Sequence, residues 1–529
     1  MSHPTAKRSY SVSGLIALAV LLLLPLAVWA QERQKTVRAN ECIDIFNDVI
    51  RQVDVNYVDT LNYENLTETA INAMLKKIDP YTVYYPKKND NELRMMTTGK
   101  YGGIGSIIQQ RDGKTYAINP YEGKPAQRAG VQAGDCILSV DGKSTKGLNV
   151  SEVSNNLRGV PGTTVVLELE REGVKKPFKV SIVREDIHLE PVTYYAAFDN
   201  VGYIALSEFT EGSAQSFTNA LDELFYNRGI RSLIIDLRSN GGGIVDEALQ
   251  IVNLFVEEGQ AVVETKGKTA NSNHTFRTRN TPRYKDLPLI VLVDKNSASA
   301  SEIVAGALQD LKRAKLIGQR TFGKGLVQNV RPIVYGGHVK VTTSKYYLPS
   351  GRCIQAIDYS ERQKGHELKK DTAGGILPDI VMDDSAKVDI TYSLYMNNYF
   401  FDYATRYHRL HDSIAKPEVF ELGKEDIEDF CQYLDERKFK YETETSKFFN
   451  DMLKMAHHED LDSATLKRLE ELEPMLKPDY KEAIHRNLEE VKNLLGSEIV
   501  LRYYYQRGQA AYRLRFDKEF KRAVEEMNQ

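Results

Sequence analysis

The chain has 529 residues, 42% hydrophobic and 27% charged, with a formal net charge of -3. This is a globular composition, too long for one ordinary domain, so two to four domains are expected. Basic residues are scattered among acids, which argues against nucleic-acid binding, and Cys42, Cys136, Cys353 and Cys431 make no CxxC pair, which argues against a metal site.

Residues 1–30 read as a secretory signal peptide. Lys7 and Arg8 precede an apolar run from Leu15 to Trp29, broken by Pro25, and Ala30 offers a small residue at the cleavage point. The expected location is the periplasm or cell envelope. An uncleaved segment would anchor the chain in the membrane, since the run approaches spanning length. Residues 31–97 are expected to be helical. Cys42, Phe46, Val49 and Val53 recur at helical spacing, as do Ala70, Met74 and Ile78 before Asp79-Pro80. No chemistry is expected there, only packing or dimerisation.

Residues 98–184 change character. Glycines cluster at Gly102, Gly103 and Gly105, short alternating strands follow, and turns recur at Asp112-Gly113, Asp141-Gly142 and Pro161-Gly162. Glycines on either side of Ile104 let backbone amides converge into a nest for a carboxylate, beside a strand edge that can accept an extended peptide. The run Gly123-Lys-Pro125-Ala-Gln-Arg-Ala129-Gly130-Val-Gln-Ala-Gly134-Asp135 through Asp141-Gly142 is more specific. With it, the module resembles a PDZ domain of the kind found in bacterial proteases. Gly103, Ile104 and Gly105 are then the expected carboxylate loop. Val153 and Leu157, four apart on the helix expected over 151–158, would line the peptide groove or else be ordinary core.

Residues 185–383 alternate apolar strand-like runs, such as Leu233 to Leu237 and Leu289 to Val293, with helical stretches. That alternation implies an α/β layer around a buried sheet. Residues 356–375 read as an exposed loop. Residues 384–529 are charged and leucine-rich at helical spacing. A helix is expected after Asp462-Ser463 and a helical hairpin over 496–527, with no catalytic constellation.

The chemistry lies in the α/β region. Ser297-Ala-Ser299-Ala-Ser301-Glu302 follows the strand-like run ending at Val293, and Thr321-Phe-Gly-Lys324-Gly-Leu-Val-Gln328 follows in turn. A serine hydroxyl needs a base. None of the histidines from His188 to His485 sits in a serine-hydrolase motif, and no Gly-x-Ser-x-Gly elbow is present. A lysine desolvated in an apolar site can be that base. Lys324 between two glycines is placed for it, and Gln328 could orient its amine without adding charge. Ser299, flanked by alanines at a helix start, is the preferred nucleophile, with Ser297 and Ser301 left to cap the helix or face the core. The run Arg238-Ser-Asn240-Gly241-Gly242-Gly243 is either an oxyanion loop or a tight turn.

Together with Ile78-Asp-Pro-Tyr-Thr82, Tyr347-Leu-Pro-Ser-Gly-Arg352 and Gly375-Ile-Leu-Pro-Asp379, these motifs resemble the carboxyl-terminal processing (tail-specific) protease family over roughly residues 40–383. The resemblance implies an α/β crotonase-like core, Ser299 as nucleophile, Lys324 as general base and Gln328 as its support. It implies oxyanion amides from Ala300 and the glycine loop, where Gly242 is the chosen donor. It also implies protein substrates with exposed C-termini, and neither metal nor other cofactor. The expected order is signal peptide (1–30), helical region (31–97), PDZ domain (98–184), serine protease core (185–383) and C-terminal helical region (384–529). The helical ends could build a homodimer or dock an adaptor. The rivals are a catalytically silent tail-binding scaffold, which the presence of both Ser299 and Lys324 opposes, and a small-ester or lipid hydrolase, which the tail reader opposes.

Overall fold

The computed structural model describes residues 38–87, 94–95, 98–363, 367, 374–382, 390–476 and 478–528. The signal-peptide reading, and most of the stretch from 364 to 373, lie outside the described residues. Among the described residues no helix is long and apolar enough to cross a membrane.

The chain divides after Met74 into two units. The first holds a helix over 38–56 and most of the helix Tyr63–Lys76. Phe46, Val49 and Val53, expected on one face, are exposed. The second unit begins inside the region expected to be wholly helical. After the helix stops ahead of Asp79-Pro80, Val83–Tyr85 forms a strand antiparallel to His338–Lys340. A three-residue strand is too short to show alternation. What holds it is Asp79, whose carboxylate accepts from the Tyr81 and Thr82 amides and from Thr82 Oγ1, while Thr82 Oγ1 accepts from Thr342 N.

The PDZ module is a sheet in the order Ser106–Arg111, Lys114–Pro120, Cys136–Val140, Thr164–Glu170, Phe178–Val183, with Lys143–Ser144 beside the third strand. Lys100–Gly103 pairs with Glu185–His188 in a separate two-stranded sheet. Its helix spans Val150–Leu157 and starts in a capping box, with Asn149 bonded to Glu152 N and Glu152 to Asn149 N.

The core is a six-stranded sheet: Val192–Phe198, Val201–Leu206, Ser232–Asp236, Leu289–Val293, Ala314–Gly318 and Ile380–Val381, each added beside the last. The first pair is antiparallel and the rest parallel. Every residue of Ser232–Asp236 and of Leu289–Val293 is buried, because both faces are covered. Leu233, Ile235, Leu289, Val291 and Val293 pack on one side with the helices Ser213–Asp222, Val245–Asn253 and Ala300–Asp310. The alternate residues Ile234, Ile290 and Leu292 meet Phe520 and Ala523 of the last helix, Lys518–Met527. In a second sheet, His338–Tyr347 pairs with Leu326–Pro332, Ala261–Gly267 and Val83–Tyr85.

Residues 390–528 are helical around their own core, including Phe400, Tyr403, Phe430 and Ile499. The expected helix after Asp462 is Ser463–Leu476. The expected hairpin is present but starts earlier: the helical run Leu488–Leu514 doubles back at Tyr505 (φ 52°), so that Arg513 Nε reaches Ser497 Oγ at 2.7 Å. The four cysteines are free thiols; Cys136 and Cys431 are buried.

Candidate active site

Two neighbouring parallel strands end side by side at Asp236 and Val293, so the loops that follow them meet. This is where open α/β sheets place ligands. The first loop carries Asn240–Gly243, the second Ser297–Ser301. Ser297 Oγ donates to Leu237 O at 2.8 Å and Ser301 Oγ to Asn240 O at 2.9 Å, both fully buried, so these two serines stitch the loops together. Ser299 lines a cavity of about 600 Å³ with Lys324, Gln328, Tyr346 and the three glycines. Its backbone sits at φ 58°, ψ -114°, outside the usual regions for a non-glycine residue and the kind of strain that persists only where surroundings impose it.

Those surroundings centre on Glu302. Its side chain is fully buried, and Oε2 accepts from Ser299 N (2.8 Å) and Lys324 N (2.9 Å) while Oε1 accepts from Gly323 N (2.8 Å) and Thr321 Oγ1 (2.6 Å). One carboxylate therefore fixes both the serine and the lysine backbone. Burial pushes its carboxyl above the usual range, and the four donors oppose that. The spacing Ser299-x-x-Glu302 carries a capping-box signal, but nothing in the sequence indicates that the same carboxylate spans to residue 324.

Burial lowers the Lys324 ammonium below its ordinary lysine value. Lys340, in the same cavity, lowers it further, and Glu302 and Asp79 act the other way. The Nζ lies 4.7 Å from the centre of the Tyr81 ring. Tyr81 belongs to the Ile78–Thr82 motif, to which sequence reasoning assigned no role. Gly323 (φ 84°) admits no side chain, since a Cβ would stand 2.6 Å from the Ala356 Cβ. Gln328 lines the cavity, but its Nε2 donates to Leu326 O and Thr342 Oγ1, each at 3.3 Å, rather than to Lys324. Tyr346 OH donates to Ser299 O at 3.1 Å.

Ala300 opens the helix Ala300–Asp310, where backbone amides and the helix dipole favour a developing negative charge. Gly242, expected as the second amide donor, instead gives its N–H to Asn240 Oδ1 at 2.9 Å. Its missing side chain leaves space beside Ser299. A Cβ there would stand 2.7 Å from Ser299 Cβ and 2.9 Å from Ala300 N. The PDZ positions come out differently from a ready groove. Ile104, Val153 and Leu157 are at most 4% exposed and share one apolar core with Ala126 and Val140. Gly105 turns the loop at φ 71°, with Gly105 O accepting from Tyr121 N and Ile104 O from Ala126 N. Gly103 pairs with Glu185.

Three family models match the chain: "Peptidase family S41" over 200–382, "PDZ domain" over 118–171, and "Probable PDZ-protease, C-terminal helical domain" over 390–527. The carboxy-terminal-processing protease of Bartonella bacilliformis is 34% identical over 377 residues, 71% of this chain and 82% of the relative. The carboxy-terminal processing protease CtpA of Bacillus subtilis is 34% identical over 312 residues, 59% of this chain and 66% of the relative. Among solved structures, the photosystem II D1 C-terminal processing protease is 28% identical with TM-score 0.37, over 64% of this chain and 86% of the other. The PDZ domain of the Vibrio cholerae carboxy-terminal protease, in complex with a peptide, is 30% identical with TM-score 0.16, over 17% of this chain and 99% of the other.

Proposed function

From the premise that this chain belongs to the carboxy-terminal-processing protease family, and is a serine-type peptidase of that kind with a PDZ domain for peptide C-termini, we propose that it cleaves tail-exposed proteins by a Ser299–Lys324 dyad on a crotonase-like core. The observation that carries this is the shared cavity in which a desolvated Lys324 faces the loop of a strained Ser299, both tied to Glu302.

In this reading the neutral Lys324 amine takes the Ser299 Oγ proton as Oγ adds to the peptide carbonyl. The oxyanion accepts from Ala300 N–H and from an amide of Gly241 or Gly243, the cavity glycines other than Gly242. The Lys324 ammonium returns its proton to the leaving amine as the C–N bond breaks, leaving the acyl group on Oγ. Water, deprotonated by Lys324, then attacks the ester and Oγ recovers its proton. Gln328 supports the lysine if its carboxamide turns from Thr342 when substrate arrives. The PDZ module supplies substrates by holding a free carboxylate at Gly103–Gly105, with Val153 and Leu157 parting to admit the apolar tail. The chain works as an exported enzyme in the cell envelope, after loss of residues 1–30.

The test is cleavage of an unfolded reporter with an apolar C-terminus, offered with a free or an amidated end. The free tail is expected to be cut at least about tenfold faster, the scale of one charge-assisted contact. Equal rates would remove tail capture from the account.

A further inference from the structure

The last helix of the chain reaches the back of the loop that frames Ser299. Arg238 is the first residue after the buried Leu237 on the way to Asn240–Gly243. Its guanidinium is held on one side by Asp236, with Nε 3.0 Å from both carboxylate oxygens, and Asp236 also accepts from Tyr203 OH at 2.6 Å. On the other side Nη2 donates to Asp517 Oδ2 at 2.6 Å and Nη1 to Asp517 Oδ1 at 3.1 Å, a two-pronged contact, with Glu519 Oε2 at 3.4 Å. The pair is largely shielded, the Arg238 and Asp517 side chains being 20% and 16% exposed. An exposed ion pair would be worth little; a shielded fork of this geometry fixes both partners.

Asp517 is not an incidental neighbour. It caps the helix Lys518–Met527 by accepting from Phe520 N at 2.9 Å. Phe520 then packs on Tyr203 (ring centres 5.4 Å apart) and Phe198 (4.8 Å). The helix is thus anchored to the sheet by apolar contact and grips Arg238 with its cap. Beyond Arg238 the loop has little slack. Ser239 sits at φ 58° with its N–H and Oγ both on Asp294, and Asn240 O takes the Ala298 amide at 3.0 Å and Ser301 Oγ. A shift of Arg238 would pass through Ser239 and Asn240 to the glycine amides on one side and the nucleophile loop on the other.

We propose that Arg238 and Asp517 are a positioning pair for peptide-bond cleavage, through which the C-terminal helical region holds the Asn240–Gly243 loop in register with the oxyanion. The proposal rests on the reading of Ser299 as nucleophile and of the glycine loop as oxyanion frame. It gives the C-terminal helical region a part in turnover, although none of its described residues lines the Ser299 cavity.

Asp517→Asn in the full chain separates the ion pair from the cap, because asparagine still accepts from Phe520 N but loses the charge and one prong of the fork. The variants are compared per active site titrated with a fluorophosphonate, so misfolded protein does not count. The expected result is a fall in kcat of about tenfold or more with KM within about twofold, since oxyanion contacts act in the transition state. A peptide boronate, whose tetrahedral adduct needs the oxyanion site, should weaken by a similar factor. A reduced-amide peptide, which does not, should bind unchanged. Asp517→Glu should recover part of the loss. Unchanged kcat in Asp517→Asn would overturn the pairing, as would parallel weakening of boronate and reduced-amide binding, which marks general loosening. If the fluorophosphonate labels no Ser299 in the parent protein, the underlying reading has failed and this proposal falls with it.

Discussion

Lys324→Ala and Lys324→Arg are both expected to reduce kcat by at least about 10³-fold, the range seen when the base of a serine nucleophile is removed. The arginine variant matters most. It keeps a cation in the cavity but cannot lose its proton, so it separates a base from a charge that merely binds substrate. Lys324 is desolvated and stands beside Lys340, and both effects lower its pKa. Activity requires the neutral amine, so kcat/KM should rise with pH along a limb centred below the ordinary lysine value of about 10.4. Measurement of kcat/KM from pH 5 to 10 on one peptide checks this. A flat profile, or appreciable turnover by Lys324→Arg, would assign the base elsewhere.

Glu302→Ala should produce the largest loss of stability of any single change in the site. Its carboxylate satisfies four donors, Ser299 N, Lys324 N, Gly323 N and Thr321 Oγ1, the last two on buried residues. Each buried donor left without a partner costs about 1–3 kcal/mol, and relaxation makes the costs less than additive. A loss of about 3–5 kcal/mol is expected from four donors left without this partner. Urea unfolding followed by the tyrosine signal would measure it. A loss below about 1 kcal/mol would mean that water replaces the carboxylate. Glu302→Gln is the finer probe. It removes the negative charge that raises the Lys324 pKa, so the active limb of the profile should move to lower pH even as kcat falls.

The residues proposed to do chemistry were legible because each sits in a particular local sequence pattern. Ser299 needs small residues beside it and Lys324 needs flanking glycines, and both patterns are local. The strands Ser232–Asp236 and Leu289–Val293 were legible for a similar reason, since buried parallel strands read as continuous apolar runs. What was not legible is whatever depends on residues far apart in the chain. Tyr81 lies over Lys324 from 243 positions away because a three-residue strand docks on His338–Lys340. Arg238 meets Asp517 across 279 positions. The resemblance implies a donor in the glycine loop without saying which, and the Gly242 amide meets the Asn240 side chain two residues earlier, a contact the glycine run does not announce. Val153 and Leu157 show the limit of helical spacing, because four-residue separation marks one face without saying whether that face meets a peptide or the module's own core.

The central claim is that Ser299, activated by Lys324, becomes acylated. A fluorophosphonate probe followed by peptide mapping of the modified residue tests it most directly, in the parent chain and in Lys324→Ala. The account predicts one adduct, on Ser299, in the parent chain, and labelling slowed at least about 10³-fold without the lysine. An adduct on Ser297 or Ser301, or labelling of Ser299 at the same rate in Lys324→Ala, would contradict it.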